Sequence, residues 1–267
     1  MNSSTDVWRD VQEIRKRSPI IHNITNYVVM NSTANALLAI GASPVMAHAE
    51  EEVEEMVGIA NALVVNIGTL SAPWIASMRL AVHAAARKGI PLVLDPVGAG
   101  ATRLRTDTAH ELLHLVPPTV IRGNASEILA LFQTGNAARG VDSQHDSESA
   151  VEAARALSQR HGCVVSVSGE TDFIVQGGRT AKIHNGHAMM TRVTGLGCTA
   201  SALTGAFCAI NPDAFEAATH AMGVMGVAGE MAETLSFGPG SLQVQFLDQL
   251  HQLREFDLAE RLRMEKA

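Results

Sequence analysis

Short apolar runs alternate with helix-like segments along the first two-thirds of the chain, and this alternation limits the possible folds more than any other feature. Most of the runs are followed by about ten or more residues of helical pattern, which is typical of parallel strands connected by helices. We therefore predict an α/β fold of three layers, in which helices cover both faces of a mostly parallel central sheet. The predicted strands occupy residues 19–24, 43–47, 62–68, 91–97, 119–124 and 163–169.

The rest of the chain follows other patterns. Residues 172–184 contain two strand-like runs joined by a pair of glycines, which predicts a hairpin at one edge of the sheet. From Cys198 onward the pattern predicts helices only, including a long one from about Asp213 to Glu233. Residues 134–150 are polar and predict a loop, and the charged tail, residues 254–267, predicts a solvated helix.

Composition narrows the size class, the partners and the compartment. The chain has 267 residues, of which 46% are hydrophobic, and this predicts a single domain over residues 1–267. The formal net charge is −7 without a lysine or arginine cluster, so we expect no nucleic-acid partner. No segment resembles a membrane span or a secretory signal, and the three cysteines have no C-x-x-C spacing. These features predict a reduced, cytoplasmic protein without a membrane partner.

Acidic side chains stand at the ends of two predicted strands. Asp95 precedes a Gly-Ala-Gly loop, and Asn124 and Glu127 lie at a strand-to-helix turn. Asn124 and Glu127 also fit a capping box, and Asp95 before a proline also fits a turn. Because the carboxyl ends of parallel strands share one edge of the sheet, the two acids together indicate a site for Mg²⁺ and a polyphosphate.

The segment "VTGLGCTA", residues 193–200, predicts a glycine loop that leads into a helix. It matches the dinucleotide pattern G-x-G-x-x-A, but that pattern belongs in a first strand-to-helix turn, whereas this loop comes late and only helices follow it. The chain also lacks a G-x-x-x-x-G-K-[ST] motif. What remains is a helix amino terminus whose backbone amides can hold an anion, as a phosphoryl group requires. The amides of this predicted anion hole belong to Gly195, Leu196, Gly197 and Cys198.

Cys198 stands at that predicted helix start, where the helix dipole is expected to lower the pKa of a thiol. Cys163 and Cys208 lie in apolar runs and are expected to be packing residues. A cysteine hydrolase is an alternative for Cys198, but neither a histidine nor an aspartate lies beside it in the sequence to act as a base.

The segment "HELLH", residues 110–114, is a literal H-E-x-x-H zinc motif and leaves a zinc hydrolase as a further alternative. Two prolines, Pro117 and Pro118, end the predicted helix soon after it, and no later helix offers an obvious third ligand. Two partly exposed histidines on a surface helix suffice to explain the segment.

Five segments together resemble the ribokinase-like small-molecule kinases, and within them the hydroxyethylthiazole kinase family. The cysteine of "GLGC" is a mark of that family, since other ribokinase-like kinases have an aspartate there. The segments follow one another in the family's order and extend over nearly the whole chain between about residues 20 and 250. They are residues 21–47, 95–102, 121–128, 193–207 and 238–250.

The resemblance implies ATP-dependent phosphorylation of the hydroxyl of 4-methyl-5-(2-hydroxyethyl)thiazole in thiamine salvage, by a homotrimer with its active sites between subunits. It implies the roles of individual residues as well. The thiazole pocket would include Asn26, Met46 and Gly195, the ATP phosphates would contact Arg122 and Ser168, Mg²⁺ would be organised by Asp95 and Glu127, and Cys198 would be catalytic. In place of Ser168 the family commonly has a threonine, which also offers a hydroxyl.

Two further alternatives stay open at this point. One is another ribokinase-like kinase, such as a hydroxymethylpyrimidine kinase, which would share the site but not the pocket. The other is a vitamin-precursor binder without catalysis, which would bind the ligand but not turn over ATP.

Overall fold

The computed structural model describes residues 3–133 and 146–267, which build a nine-stranded sheet between two layers of helices. The strands are β1 Ile20–Ile24, β2 Ser43–Val45, β3 Ala62–Asn66, β4 Leu92–Asp95, β5 Val120–Asn124, β6 Val164–Ser168, β7 Asp172–Gln176, β8 Arg179–Ile183 and β9 Met264–Lys266. The helices are α1 Ser3–Arg17, α2 Met30–Ile40, α3 Val53–Ile59, α4 Ala72–Lys88, α5 Arg103–Leu115, α6 Ala125–Phe132, α7 Asp146–His161, α8 Leu196–Cys208, α9 Ala214–Glu233, α10 Pro239–Gln252 and α11 Glu255–Arg261, with a short 3₁₀ helix at Ala188–Arg192. None of the helices in these two ranges is long and apolar enough to cross a membrane.

The strand order is β2-β1-β3-β4-β5-β6-β7-β8-β9. The first six strands in this order pair in parallel, and β7, β8 and β9 pair antiparallel at the other edge. The predicted α/β fold with its edge hairpin is therefore confirmed. The pairing aligns the last residues of neighbouring strands, with Asn66 opposite Asp95 and Asn124 opposite Ser168.

Two hydrophobic clusters pack against the two faces of the sheet. Val64 belongs to the cluster under α8, α9 and α10, whereas its neighbours Leu63 and Val65 belong to the cluster under α4, α5, α6 and α7. Successive side chains of a strand point to opposite faces, so a strand buried on both faces needs a continuous apolar run. This explains why the parallel strands have uninterrupted runs of valine, leucine and isoleucine.

The carboxyl-terminal tail differs from the prediction of a solvated helix. Its helix α11 buries Asp257 and Leu258, and the chain then forms β9, which pairs antiparallel with β8. Lys266 of β9 also bonds to Glu216 of α9. The prediction missed β9 because its three residues are mostly charged, and the strand forms by completing a sheet edge.

The polar loop predicted at residues 134–150 lies mostly outside the described residues. Its last five residues, from Asp146 onward, belong to α7, so at that end the predicted loop is wrong.

Candidate active site

The carboxyl ends of the parallel strands surround a cavity of about 410 Å³, which we call the first cavity. Such edges collect strand-end side chains and helix amino termini, so ligands of α/β proteins bind there. Nearly all residues predicted for the site line this cavity, together with Val28, Val29, Gly68, Thr69, Val97, Asn124 and Thr194. The predicted residues among them are Asn26, Asp95, Arg122, Glu127, Ser168, Gly195, Gly197 and Cys198.

Two predicted residues lie elsewhere. Leu196 lines an adjoining cavity. Met46 follows β2 at the sheet edge, is half-buried and does not line the first cavity. The sequence analysis placed Met46 in the thiazole pocket, but within this chain Met46 does not line the first cavity.

The amino terminus of α8 forms one wall of the first cavity. Gly195 precedes the helix in the left-handed conformation, with φ of 85°, and no side chain caps the helix. A Cβ atom on Gly195 would lie 2.5 Å from Val29 Cγ1, and one on Gly197 would lie 2.9 Å from Arg122 Nη1. The two glycines thus allow the loop and the Arg122 guanidinium to approach. First-turn amides have no partner within a helix, so this terminus can hold an anion.

Arg122 on β5 is a buried cation without a hydrogen-bond partner among the described residues. Its side chain is 7% exposed, and its Nε atom is buried and unbonded. A buried guanidinium has five N–H donors, and leaving them unpaired is unfavourable. Its positive charge partly offsets the burial that raises the pKa values of Asp95 and Asp172. A buried guanidinium with free N–H donors beside a cavity can bind an anion.

Asp95 at the end of β4 is fully buried and uses only one of its oxygens. Asn66 Nδ2 and Ser201 Oγ donate to Oδ2 at 2.6 Å and 2.7 Å, whereas Oδ1 has no partner. Burial raises the pKa of Asp95 to about 6, with a further rise from the charge of Glu127 and a partial offset from Arg122. An orphaned carboxylate oxygen beside a second carboxylate suits a cation.

Glu127 forms the capping box of α6. Its Oε2 accepts from the Asn124 backbone N–H at 2.9 Å, and the Asn124 side chain accepts from the Glu127 N–H at 2.9 Å. Its other oxygen, Oε1, accepts from Gly98 N–H at 2.9 Å, which joins the β4 loop to α6. The capping box is thus present, and the same carboxylate lines the first cavity.

Cys198 faces the first cavity from the first turn of α8, where its Sγ accepts a hydrogen bond from Asn26 Nδ2 at 3.4 Å. The expectation of a lowered pKa is wrong. Burial raises the pKa of the Cys198 thiol to about 11, and the negative charge of Asp95 adds to this rise. The helix dipole is too small to offset these effects, so the group is a neutral thiol at pH 7. Cys163 and Cys208 are buried, as predicted.

Asn66, at the end of β3, links the substrate side of the cavity to Asp95 and was missed by the sequence analysis. Its Oδ1 accepts from Asn26 Nδ2 and from Gly68 N–H, both at 3.0 Å, while its Nδ2 donates to Asp95. Because a backbone N–H can only donate, the orientation of the Asn66 amide is determined. The signal was available, since Asn66 ends a predicted strand just as Asp95 does.

A second cavity of about 770 Å³ lies on the other side of Arg122 and shares Arg122, Ser168 and Gly197 with the first. Because Arg122 and Gly197 line both cavities, the arrangement suits two ligands that meet at a phosphate. The remaining lining residues are Gly169, Glu170, Asp172, His184, Asn185, Gly186, His187, Ala188, Met190, Thr191, Leu196, Ala200, Met222, Met225 and Gly226.

The H-E-x-x-H segment lies on α5 and lines neither of the two cavities. Glu111 is paired with Arg79 by hydrogen bonds of 2.6 Å and 2.9 Å, which removes the carboxylate that a zinc hydrolase would use as a base. His110 is half-buried and His114 is exposed. Within residues 3–133 and 146–267, no group of three or more His, Cys, Asp or Glu side chains is placed to hold a metal.

Comparison with known proteins agrees with this geometry. The pyridoxal kinase from Staphylococcus aureus, solved with pyridoxal, has a TM-score of 0.62 at 17% identity and covers 78% of this chain and 86% of its own. The fold is accordingly that of the ribokinase-like kinases. A sequence model of the hydroxyethylthiazole kinase family matches residues 11–255. The chain belongs to the hydroxyethylthiazole kinase family.

Two relatives show how closely the chain follows that family. The hydroxyethylthiazole kinase of Syntrophus aciditrophicus is 63% identical over 260 residues, which cover 97% of this chain and 96% of that protein. The solved hydroxyethylthiazole kinase from Pyrococcus horikoshii OT3 has a TM-score of 0.91 at 41% identity, and the match covers 98% of this chain and 99% of that one.

Proposed function

We propose that this protein transfers the terminal phosphoryl group of ATP to the hydroxyl of 4-methyl-5-(2-hydroxyethyl)thiazole, as part of thiamine salvage. The observation that carries the proposal is the buried Arg122 guanidinium, which has no protein acceptor among the described residues and stands where the two cavities meet. A triphosphate that crosses this point would satisfy the guanidinium in the bidentate manner that arginine favours. Family membership supports the identity of both substrates.

In this proposal the alcohol occupies the first cavity and the nucleotide the second. Asn26 and the Gly195 backbone contact the thiazole, and Arg122 and Ser168 hold the phosphates. The amides of residues 195–198 then face the phosphoryl group in transit, because they begin α8 and their residues line the two cavities. Charge that builds up on its oxygens is thereby stabilised in the transition state.

Mg²⁺ fits the side chains that remain. Asp95 offers a buried Oδ1 without a partner, and the charge of Glu127 lies close enough to raise the pKa of Asp95. We propose that Asp95 and Glu127 hold the ion. Two protein carboxylates suffice, since Mg²⁺ usually takes its other ligands from water and phosphates. When bound, the ion neutralises charge on the phosphates.

We assign to Cys198 the hydrogen bond with the attacking hydroxyl. As the O–P bond to the alcohol forms and the bond to ADP breaks, the hydroxyl proton must leave, and the thiolate of Cys198 can receive it. The thiolate is a minor form at neutral pH because the pKa of Cys198 is about 11. Phosphoryl transfer has a loose transition state, so the proton is needed only late. Cys198 forms no covalent intermediate in this scheme.

We further propose that the protein is a homotrimer with its active sites between subunits. Met46 lies at the β2 edge, and Tyr27 and Val28 beside the first cavity are 63% and 65% exposed. A neighbouring subunit at this edge would cover the two exposed side chains and bring a second copy of Met46 toward the thiazole. Light scattering of the purified protein tests the assembly, and a monomer with full activity would contradict it.

Release of ADP, measured against a panel of small alcohols, tests the proposed reaction. We expect turnover with the hydroxyethylthiazole, none in the absence of Mg²⁺, and much slower turnover with hydroxymethylpyrimidine. Preference for the pyrimidine would indicate the other ribokinase-like activity. Binding of the thiazole, shown by calorimetry, without ADP release would instead indicate a non-catalytic binder. Stoichiometric zinc in the purified protein would instead indicate a zinc site at residues 110–114.

A further inference from the structure

Two side-chain amides, those of Asn26 and Asn66, connect Cys198 to Asp95. The Asn26 Nδ2 atom donates to Cys198 Sγ at 3.4 Å and to Asn66 Oδ1 at 3.0 Å. The Asn66 Nδ2 atom donates in turn to Asp95 Oδ2 at 2.6 Å. Asn26 and Asn66 are 4% and 1% exposed, so protein contacts hold both amides. This chain of hydrogen bonds therefore decides which way each amide is turned.

The orientation of Asn66 determines that of Asn26. Asn66 Oδ1 accepts from the Gly68 N–H at 3.0 Å, and a backbone N–H can only donate. Because the same Oδ1 also meets Asn26, the Asn26 atom that faces it must be the amide nitrogen. A terminal amide has two nearly equivalent orientations about its last bond, so this contact selects one of them.

Asn26 is also confined by the backbone beside it. A Cβ atom on Gly68 would lie 2.7 Å from Asn26 Nδ2 and 2.8 Å from Asn26 Cβ, so the amide packs directly against this glycine. The two N–H bonds of Asn26 are used by Asn66 and Cys198. Its Oδ1 accepts no hydrogen bond from residues 3–133 and 146–267 and is not fully enclosed, so it is open to the first cavity, which Asn26 lines.

The reversed orientation of Asn26 would suit the thiol better if Asn66 were absent. Cys198 is a neutral thiol at pH 7, because burial raises its pKa to about 11. Sulfur is a weak acceptor, whereas an amide oxygen is a good acceptor for the S–H group. An unconstrained Asn26 would therefore turn its oxygen toward the thiol. With Asn66 present, that oxygen would replace Nδ2 beside Asn66 Oδ1, and two acceptors would face each other.

We propose that Asn66 is a positioning residue, which holds the Asn26 amide with its nitrogen toward Cys198 and its oxygen toward the alcohol site. The inference rests on the proposed function, in which Asn26 contacts the thiazole and Cys198 receives the hydroxyl proton. An N–H donor on the sulfur favours the thiolate that must receive this proton, and an oxygen in the same place would disfavour it. Asn66 thus acts on the reaction through Asn26.

The kinetic cost of Asn26→Ala in different backgrounds tests this role. In the parent protein the substitution should lower kcat about tenfold, because the hydrogen bond to the sulfur is lost. In Asn66→Ala it should cost at most about threefold, since the amide is already misplaced. Asn66→Asp is the conservative variant. It retains an oxygen that accepts from Gly68 and Asn26, so there the cost should again be about tenfold. Equal costs in the parent and in Asn66→Ala would overturn the inference.

Ser201 provides the control for the contact with Asp95. Its Oγ donates to Asp95 Oδ2 at 2.7 Å, as Asn66 does, but Ser201 shares no hydrogen-bond partner with Asn26. The effects of Ser201→Ala and Asn26→Ala on kcat should therefore multiply, within about twofold. Coupling as large as that of Asn66 would show that any loosening around Asp95 displaces Asn26, and would overturn a specific role of Asn66.

A second variant displaces Asn26 without removing Asn66. If circular dichroism shows that Asn66→Ala is unfolded, Gly68→Ala takes its place, because the added Cβ would push the Asn26 amide away from Asn66. Asn26→Ala should then also cost at most about threefold. A full tenfold cost in Gly68→Ala would contradict the inference.

Infrared spectra of the unliganded protein separate this inference from the proposed function. The S–H stretching band of Cys198, assigned by its loss in Cys198→Ala, reports the hydrogen bonding of the thiol without any substrate. The band should shift in Asn66→Ala and stay in place in Ser201→Ala. A shift in a protein that releases no ADP with any alcohol would support the positioning of Asn26 and contradict the kinase reaction. Turnover in the parent together with an unshifted band in Asn66→Ala would do the reverse.

Discussion

Asp95→Asn should make the unliganded protein more resistant to unfolding at neutral pH than at acid pH, relative to the parent protein. Asp95 is 0% exposed, and burial raises its pKa from 3.8 to about 6. A pKa difference of one unit between the folded and the unfolded chain corresponds to about 1.4 kcal/mol. The ionised carboxylate therefore destabilises the folded state by about 3 kcal/mol above pH 6.

The direction of this effect follows from the raised pKa. Below pH 3.8, the ordinary value, the carboxyl is neutral in both the folded and the unfolded chain and has no penalty. As the pH rises toward 6, the unfolded chain loses the proton first, so the stability due to the neutral form disappears. The asparagine does not titrate. The free energy of unfolding of the variant, minus that of the parent, should therefore increase by about 3 kcal/mol between acid pH and pH 8.

Urea unfolding at several pH values between 4 and 8 measures this difference by linear extrapolation. The asparagine Nδ2 takes the place of Oδ1, where it has no partner, and this lowers stability by about 1–3 kcal/mol at every pH. Only the slope against pH therefore tests the argument. Asp172→Asn is a second test of the same argument. Burial raises the pKa of Asp172 to about 6 as well, so this variant should give a similar slope against pH. A difference that stays constant with pH would refute the reasoning. Turnover of Asp95→Asn should be largely lost.

Substitutions at four further residues test the remaining roles. Arg122→Ala should weaken ATP binding by about 10- to 100-fold while changing thiazole binding little, and equal losses would contradict a phosphate role. Glu127→Gln should reduce turnover about 100-fold with an unchanged fold by circular dichroism, whereas normal activity would leave only the capping box. Met46→Ala should raise the thiazole KM up to about tenfold, and a large drop in Tm would instead make it a core residue. Cys198→Ala should lose about 10²- to 10⁴-fold in kcat, and Cys198→Asp should stay active. The parent kcat should rise from pH 7 to pH 9, because the pKa of Cys198 is about 11, and the aspartate variant should lose this rise. A phosphorylated thiol would contradict the scheme.

The parallel strands and the pair of acids at their ends could be predicted from the sequence. Strands buried on both faces need continuous apolar runs, and these were visible in the sequence around residues 62–68 and 91–97. The grouping of Asp95 with Glu127 could also be predicted, because the strand-end rule converts an order along the chain into proximity in space. Both acids line the first cavity.

Features that depend on distant neighbours could not be predicted. The pKa of Cys198 is raised by burial and by Asp95, and neither is visible from the local sequence, whereas the helix dipole is. The strand β9 has only three residues and exists because the edge of β8 is there to pair with it. The second cavity is lined by Met190 together with two methionines of α9, and no spacing rule connects those positions.

Buried carboxylates near the two cavities affect both the stability of the fold and the pKa values of the site residues. Asp95, Glu127 and Asp172 are buried, and the positive charge of Arg122 lowers the pKa of Asp95 and of Asp172 by less than burial raises it. Burial raises the pKa of Asp95, and the charge of Glu127 adds to this rise. Burial likewise raises the pKa of Cys198, and the charge of Asp95 adds to that rise. In the proposed function, a divalent cation held by Asp95 and Glu127 would offset the repulsion between these two carboxylates and so stabilise the folded state.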